Sequence, residues 1–273
     1  MMHYRMNPGR PASKSVLLPS AAQMRALVTG ASSGIGLALA RELGRRGYDV
    51  ALLARRTEPM EGAGKVAIPC DVTDLASVRD AVRRAEEALE GPIDLAIANA
   101  GISIPMHGTN FKVEDAERIF RVNVLGMMYL FDAVIPSMVE RHSGRFVGVA
   151  SIAGLRGIPV AGPYSASKAA MQSFLEAARV ELAPHGVGVT IVNPGFVATP
   201  LTEKNRFRMP FLMDADEAAR RIADGIEKGK RVVEFPWQMS LLMRTVRYVP
   251  DRLYDRIFAR YGRRKMDAEK VKR

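Results

Sequence analysis

One pattern limits the fold more than any other. From Met24 onward, short apolar runs alternate with helical stretches: "RALVTG" then "GIGLALARELGRRG", "DVALLAR", "KVAIPC" then "DLASVRDAVRRAEEALEG", and "IDLAIANAG". The apolar runs are rich in Val, Ile, Leu and Ala with little polar alternation, as strands covered on both faces are. Strands that take turns with helices predict an α/β fold built on a single doubly wound parallel sheet. Further strands are expected at "GRFVGVAS", "VGVTIVNPG" and "RVVEF", with helices near 113–140 and 163–184. Asp214 and Glu217, three residues apart at the head of "DADEAARRIADGIEKG", form a capping box that opens another helix.

With 273 residues, 48% of them apolar, the chain buries one sizeable core and needs no second domain. That domain is expected at 24–235, between two segments of different character. Residues 1–23 carry three prolines and no acid, and read as a disordered leader, or as sequence preceding a natural start at Met24. Residues 236–273 read as a basic amphipathic extension. Leu242, Val246 and Val249 recur at helical spacing; after Pro250 come Leu253, Ile257 and Tyr261, with Gly262 as the stop. Arg244, Arg247, Arg252, Arg256 and Arg260 flank these stripes.

The charge excess is local. Residues 244–273 hold eleven Lys or Arg against four Asp or Glu, so this stretch supplies +7 of the net +11. It carries no zinc-finger, aromatic RNP or basic-zipper signature, so nucleic acid is not an expected partner. Two uses remain open: packing on the core or across a homodimer with the arginines in water, or peripheral docking of residues 237–265 on an anionic membrane. No run of about 18 uninterrupted apolar residues suggests a membrane span, so a cytoplasmic protein, at most peripheral to a membrane, is expected. Cys70 is the only cysteine, and His3, His107, His142 and His185 lack metal-ligand spacing, so no disulfide within the chain and no metal are expected.

Two stretches carry chemistry. The first strand runs through "TGASSGIG" straight into a helix, where glycines let backbone amides approach a phosphate attracted by the helix N-terminus. Gly30 and Gly34 are separated by three residues rather than the one of G-x-G-x-x-G, but the strand–turn–helix context supports a dinucleotide site. In "GPYSASKAAMQ", Tyr164 and Lys168 share a helical face, and a cation beside a phenol draws its pKa of about 10 toward the range of a general acid/base.

These stretches, with "NAG" at 99–101, Asn123 in "RVNVLG", Ser151 in "GVASIAG" and "NPGFVATP" at 193–200, occur in the order and at the spacings of one family. The chain resembles the short-chain dehydrogenase/reductases over roughly residues 24–235. The resemblance implies a Rossmann-like domain and hydride transfer between a nicotinamide cofactor and a carbonyl or secondary alcohol, in a homodimer or homotetramer. It gives Tyr164 as general acid/base, Lys168 as the cation that lowers the phenol's pKa and binds the nicotinamide ribose, Ser151 as holder of the substrate oxygen, and Asn123 as anchor of a proton-relay water. It assigns to the cofactor Gly30, Ser32, Ser33, Gly34, Ile35 and Gly36; Asp71 and Val72 near the adenine; Asn99, Ala100 and Gly101, with Asn99 steadying the sheet; and Pro194, Gly195, Val197 and Thr199, the last at the carboxamide.

At the end of the second strand, where an NAD site usually has an acid for the ribose 2′-OH, this chain has Ala54, Arg55 and Arg56. Arg55 can bind a 2′-phosphate in a bidentate way, so NADP(H) is expected in preference to NAD(H). A catalytically silent nucleotide sensor on the same fold is the alternative. Leu155, Ile158, Phe207, Phe211 and Leu212 suggest an apolar substrate lining.

Overall fold

The computed structural model describes residues 24–203, 205 and 208–259; the leader, Phe207 and the end of the extension, with Arg260, Tyr261 and Gly262, lie outside the described residues. Seven strands, β1 (Arg25–Thr29), β2 (Asp49–Ala54), β3 (Val66–Pro69), β4 (Leu95–Ala98), β5 (Gly144–Val149), β6 (Val187–Pro194) and β7 (Val232–Phe235), form one sheet in the order β3-β2-β1-β4-β5-β6-β7. Every pairing is parallel, with Leu27 opposite Ala51 and Ala96 across β1's two neighbours. The expected α/β fold is therefore what the chain adopts.

Strand alternation divides the core between the two faces. Leu27 on β1 joins a layer with Val78 and Val82 of α2 (Leu75–Ala88), Leu130 and Val134 of α4 (Gly126–Glu140), and Met171 and Leu175 of α5 (Gly162–Leu182). Its neighbours Ala26 and Val28 join the opposite layer, with Leu39 and Leu43 of α1 (Gly34–Arg45) and Ile222 and Ile226 of α7 (Ala215–Glu227). Strand order turns outward in both directions from β1 and β4, so a crevice opens beyond their C-terminal ends.

Helix α3 (Val113–Phe120) runs through a π-helical turn, Arg121–Leu125, into α4. The combined helix is long and apolar enough to cross a membrane, but one face of it, with Met127, Leu130, Val134 and Met138, is buried in the core. Asp214 caps α7 by accepting from the Glu217 N–H at 2.8 Å. The box is only half made, because the Glu217 carboxylate turns to Arg220 and Arg221.

The extension differs from its sequence pattern. A short helix α6 (Pro200–Glu203) precedes α7, and α8 (Trp237–Arg247) follows β7. Helix α8 packs inward with Met239 and Met243, not Leu242, which stays exposed. Residues 251–259 are again helical, with Tyr254 and Phe258 turned inward and Leu253 and Ile257 outward. Helix α8 is apolar on two sides, Trp237 and Leu241 on one and Met239, Leu242, Met243 and Val246 on the other, so periodicity alone does not select the buried one.

Candidate active site

The C-terminal ends of the strands converge on one cleft of about 670 Å³ that runs from Arg55 and Asp71, past Gly30–Ile35, to Ser151 and Tyr164, and on to Met239 and Met243. At one end, β1 turns into α1 through Gly30 and Gly34, both with φ near +60°. A Cβ on Gly30 would stand 2.7 Å from the Ala100 Cα, and one on Gly36 would stand 2.4 Å from Asn99 Nδ2. Here β1 and β4 touch at the backbone, which only glycine permits. Asn99 ties them, donating to the carbonyls of Thr29 (3.0 Å) and Gly30 (3.2 Å). Ser33, extended at the N-cap of α1, gives that helix no side-chain cap, so the amides of its first turn keep no side-chain acceptor.

Asp71 accepts from the N–H and hydroxyl of Thr73, and with Arg55 nearby these bonds hold its carboxyl below the usual range. Val72 packs where a Cβ on Gly126 would lie 3.0 Å away. Across the cleft, Pro194 ends β6, and Gly195, Val197 and Thr199 follow it. Thr202 closes that loop by donating to the Val197 carbonyl at 2.6 Å.

The chemical groups gather at the ends of β5 and α5. Ser151 sits just past β5, its Oγ accepting from the Ala153 N–H at 3.1 Å and donating to the Pro194 carbonyl at 3.4 Å, and it lines the cleft together with Tyr164. One helical turn past Tyr164, Lys168 points into the same space, with Nζ 5.8 Å from the phenol ring centroid and donating to the Val149 carbonyl at 2.8 Å. Lys168 is almost wholly buried, and burial brings its ammonium down to about 7. Burial also pushes the Tyr164 phenol up, with the Ser151 side chain pulling the other way. The expected downward pull of Lys168 on Tyr164 is thus not the leading effect: desolvation acts on both groups and disfavours the charged form of each.

Asn123 lies fully buried in the π turn. Its Oδ1 accepts from the Ile102 N–H (2.8 Å), while Nδ2 donates to the Ile102 carbonyl (3.1 Å) and to Ser167 Oγ (3.0 Å). Both side-chain N–H groups are engaged, while Oδ1 keeps a second lone pair for a further donor. The side chain locks the loop after β4 to α5.

The residues expected to bind the cofactor and do the chemistry line this one cleft, apart from Gly36 and Asn123, which are buried beside it. Sequence reading missed Gln172, which donates to the Ser151 carbonyl (2.8 Å) and to Asn193 Oδ1 (2.8 Å), although its place one turn beyond Lys168 was a usable signal. Ile158, expected in the apolar lining, does line the cleft, but Ile152, Phe196, Met239 and Met243, which line it too, were missed. Leu155 packs beside them. Phe211 and Leu212 are exposed, because the chain turns there before Met213 pairs back onto Phe196 and Ala198.

A family model described as short chain dehydrogenase matches residues 24–209. An uncharacterized oxidoreductase of Myxococcus xanthus is 41% identical over 239 residues, covering 84% of this chain and 94% of its own. Among solved structures, a short chain dehydrogenase of Burkholderia cenocepacia in complex with NADP has a TM-score of 0.77 at 28% identity, covering 87% of this chain and 98% of its own. A 3-ketoacyl-(acyl-carrier-protein) reductase of Brucella melitensis complexed with NADH has a TM-score of 0.74 at 26% identity, covering 81% of this chain and all of its own. With the glycine turn, the parallel sheet and the Ser–Tyr–Lys cluster in place, the chain belongs to the short-chain dehydrogenase family and is a nicotinamide-dependent oxidoreductase.

Proposed function

We propose that the protein interconverts a carbonyl and a secondary alcohol using NADP(H), on a substrate with an apolar chain. The observation that carries this reading is continuity: one cleft joins a dinucleotide-shaped groove, the Ser151–Tyr164–Lys168 cluster and an apolar wall. The residues fit the cofactor, since the uncapped start of α1 suits a pyrophosphate, and Arg55, with no acid at its strand end, suits a 2′-phosphate. In this assignment Asp71 and Val72 border the adenine, Asn99–Gly101 the central portion, and Pro194, Gly195, Val197 and Thr199 the nicotinamide. When bound, NADP(H) supplies or accepts the hydride.

In the reducing direction, Ser151 Oγ donates a hydrogen bond to the substrate carbonyl oxygen and holds it beside Tyr164. The Tyr164 hydroxyl gives its proton to that oxygen as negative charge develops there. Lys168 stabilises the phenolate left behind, and Asn123 and Ser167 keep the start of α5 in register. Ile152, Phe196, Met239 and Met243 hold the substrate's apolar chain and exclude water. A silent nucleotide sensor is not favoured, because it would have no use for the serine–phenol pair. The test is turnover of ketones, aldehydes and 3-oxoacyl thioesters with NADPH, and of the alcohols with NADP. Cofactor binding without turnover of any class would return the sensor reading.

The outward face of α8 supports peripheral contact with an anionic membrane. Trp237 (67% exposed), Leu241 and Tyr248 (83% exposed) share one stripe, and Arg244 and Arg247 lie alongside. Salt-sensitive binding to vesicles containing phosphatidylserine is the expected result; no binding at low salt would leave this face to a second copy. Exposed Phe120, Leu125 and Val180 on the α3–α4 and α5 surface support a homodimer or homotetramer, to be read by analytical ultracentrifugation.

A further inference from the structure

We propose that Arg156 is a positioning residue for the substrate half of the cleft: it holds the C-terminal end of α8 so that Met239 and Met243 wall the apolar subsite. This inference rests on the reductase reading above and names a residue outside the cofactor and acid/base sets.

Arg156 lies five residues beyond Ser151 in the loop between β5 and α5, and its side chain is largely covered. One guanidinium nitrogen, Nη1, donates to three carbonyls at the end of α8: Val246 (2.9 Å), Arg247 (2.9 Å) and Val249 (2.7 Å). Nη2 reaches Asp251 Oδ1 at 2.8 Å. The guanidinium carbon lies 4.2 Å from the Tyr254 ring centroid, and the Tyr254 hydroxyl donates to the Gly157 carbonyl. Tyr254 in turn stacks on Phe258, with centroids 4.3 Å apart.

A helix leaves its last carbonyls unpaired, and they carry partial negative charge. A planar guanidinium can gather several such acceptors and stack on a ring at once; an ammonium cannot copy both. The ion pair itself contributes little, since Asp251 is 95% exposed in its side chain. The carbonyl bonds and the ring contact are what hold the helix end.

Arg156 does not line the cleft, whereas Met243, one turn before Val246, does. A shift of the helix end therefore moves the wall. Helix α8 has a second anchor: Arg244 bonds Glu234 (3.0 Å), which accepts from Asn193 (3.0 Å), which accepts from Gln172, the donor to the Ser151 carbonyl. Both ties run from α8 back to the Ser151 strand end, so the distance between the reacting carbonyl and the chain-binding wall is set by Arg156 at one end and Glu234 at the middle.

The test uses the full chain with Arg156→Ala and Arg156→Lys, read two ways. In hydrogen exchange, amides of residues 246–254 should exchange about tenfold faster or more in Arg156→Ala, on the scale of losing charged hydrogen bonds, with Arg156→Lys between it and the parent. In kinetics with NADPH and 2-alkanones of increasing length, KM for the longest ketones should rise about tenfold, while kcat and KM for the shortest, and NADPH affinity, stay within about twofold. Unchanged exchange, or a KM rise independent of chain length, overturns the proposal. If Arg156→Ala loses NADPH binding and so has misfolded, Arg156→Lys and Tyr254→Ala decide by the same criteria. If the parent turns over no ketone, aldehyde or 3-oxoacyl thioester, the reductase reading fails on its own and the exchange result still decides whether Arg156 holds α8.

Discussion

On the β1–β4 side of the cleft the wall is backbone. Gly30 and Gly36 bring main chains so close that a single added methyl would clash, and Asn99 bonds the facing carbonyls. On the β6–α8 side the wall is side chain: Met239 and Met243 lean on Ile152 from a helix that Arg156 and Glu234 hold in place. A nucleotide presents the same pyrophosphate each time, and backbone amides recognise it without variation. A substrate wall of methionines on a tethered helix adapts to shape, because Met is unbranched and polarizable. Between the halves stand Ser151, Tyr164 and Lys168, which the proposed reaction requires to face both ligands.

The largest effect is expected at that junction. Tyr164→Phe keeps the ring and deletes the proton donor, so turnover should fall about 10²- to 10⁴-fold while NADPH titration is unchanged. Near-normal turnover on a verified substrate would remove Tyr164 from the chemistry. Next comes the backbone wall. Gly30→Ala sets a methyl 2.7 Å from the Ala100 Cα at φ +65°, and should cost about 2–4 kcal/mol, or roughly 2–4 °C in Tm for each kcal/mol, along with cofactor binding. Gly44→Ala is the control: nothing lies within 4 Å of its added Cβ, and in an exposed helix the change should stabilise by about 1 kcal/mol. Equal behaviour of the two variants would show that the first half is not built on backbone contact.

The same contrast explains what could be read in advance. All seven strands and the nucleotide turn were legible, because a parallel sheet needs continuous apolar runs and a backbone contact needs glycine, each visible locally. Tyr164 and Lys168 were legible as an i, i+4 pair. Of the apolar wall only Ile158 was legible. Met239 contacts Ile152 from a segment 87 positions away, and α8 is apolar on two sides, so Leu242 was chosen where Met243 packs. Nor did Arg156 announce itself, since its partners are main-chain carbonyls that have no residue signature. Desolvation of Lys168 was missed for a related reason: the sequence shows the cation but not the burial that lowers its pKa.

Cofactor choice sharpens the first half of the comparison. Arg55 lines the cleft beside Asp71, so the parent should bind NADPH more tightly than NADH. Arg55→Asp removes a charged hydrogen bond and adds repulsion, worth about 1.5–3 kcal/mol, or roughly ten- to hundredfold in the ratio of the two affinities. Fluorescence titration of both cofactors decides it, and equal affinities in the parent would refute the assignment. Met239→Ala in the same assay should leave both affinities unchanged.

The smallest effect concerns Lys168, where burial has a stability consequence with a definite sign. In the unfolded chain this lysine titrates near about 10.4. In the fold burial brings it to about 7, so between those values the unfolded state holds more protons. Stability then rises with pH across that window, and below 7 the burial cost is present in full. Cys70 acts oppositely: buried at the head of α2, its thiol is pushed up to about 11, and above about 8.5 the unfolded state loses that proton first. Tyr164, also raised by burial, acts with Cys70 at still higher pH. The clean interval is therefore pH 7 to 8.5, where Lys168 alone should add stability on the order of 1 kcal/mol per pH unit. Urea denaturation at three pH values in this interval should show the rise in the parent and none in Lys168→Met, which keeps the length of the side chain and discards the charge. A slope that persists in Lys168→Met would place its origin elsewhere, and a parent with no slope would mean that Lys168 keeps its proton in the fold, as an ammonium able to draw Tyr164 toward phenolate.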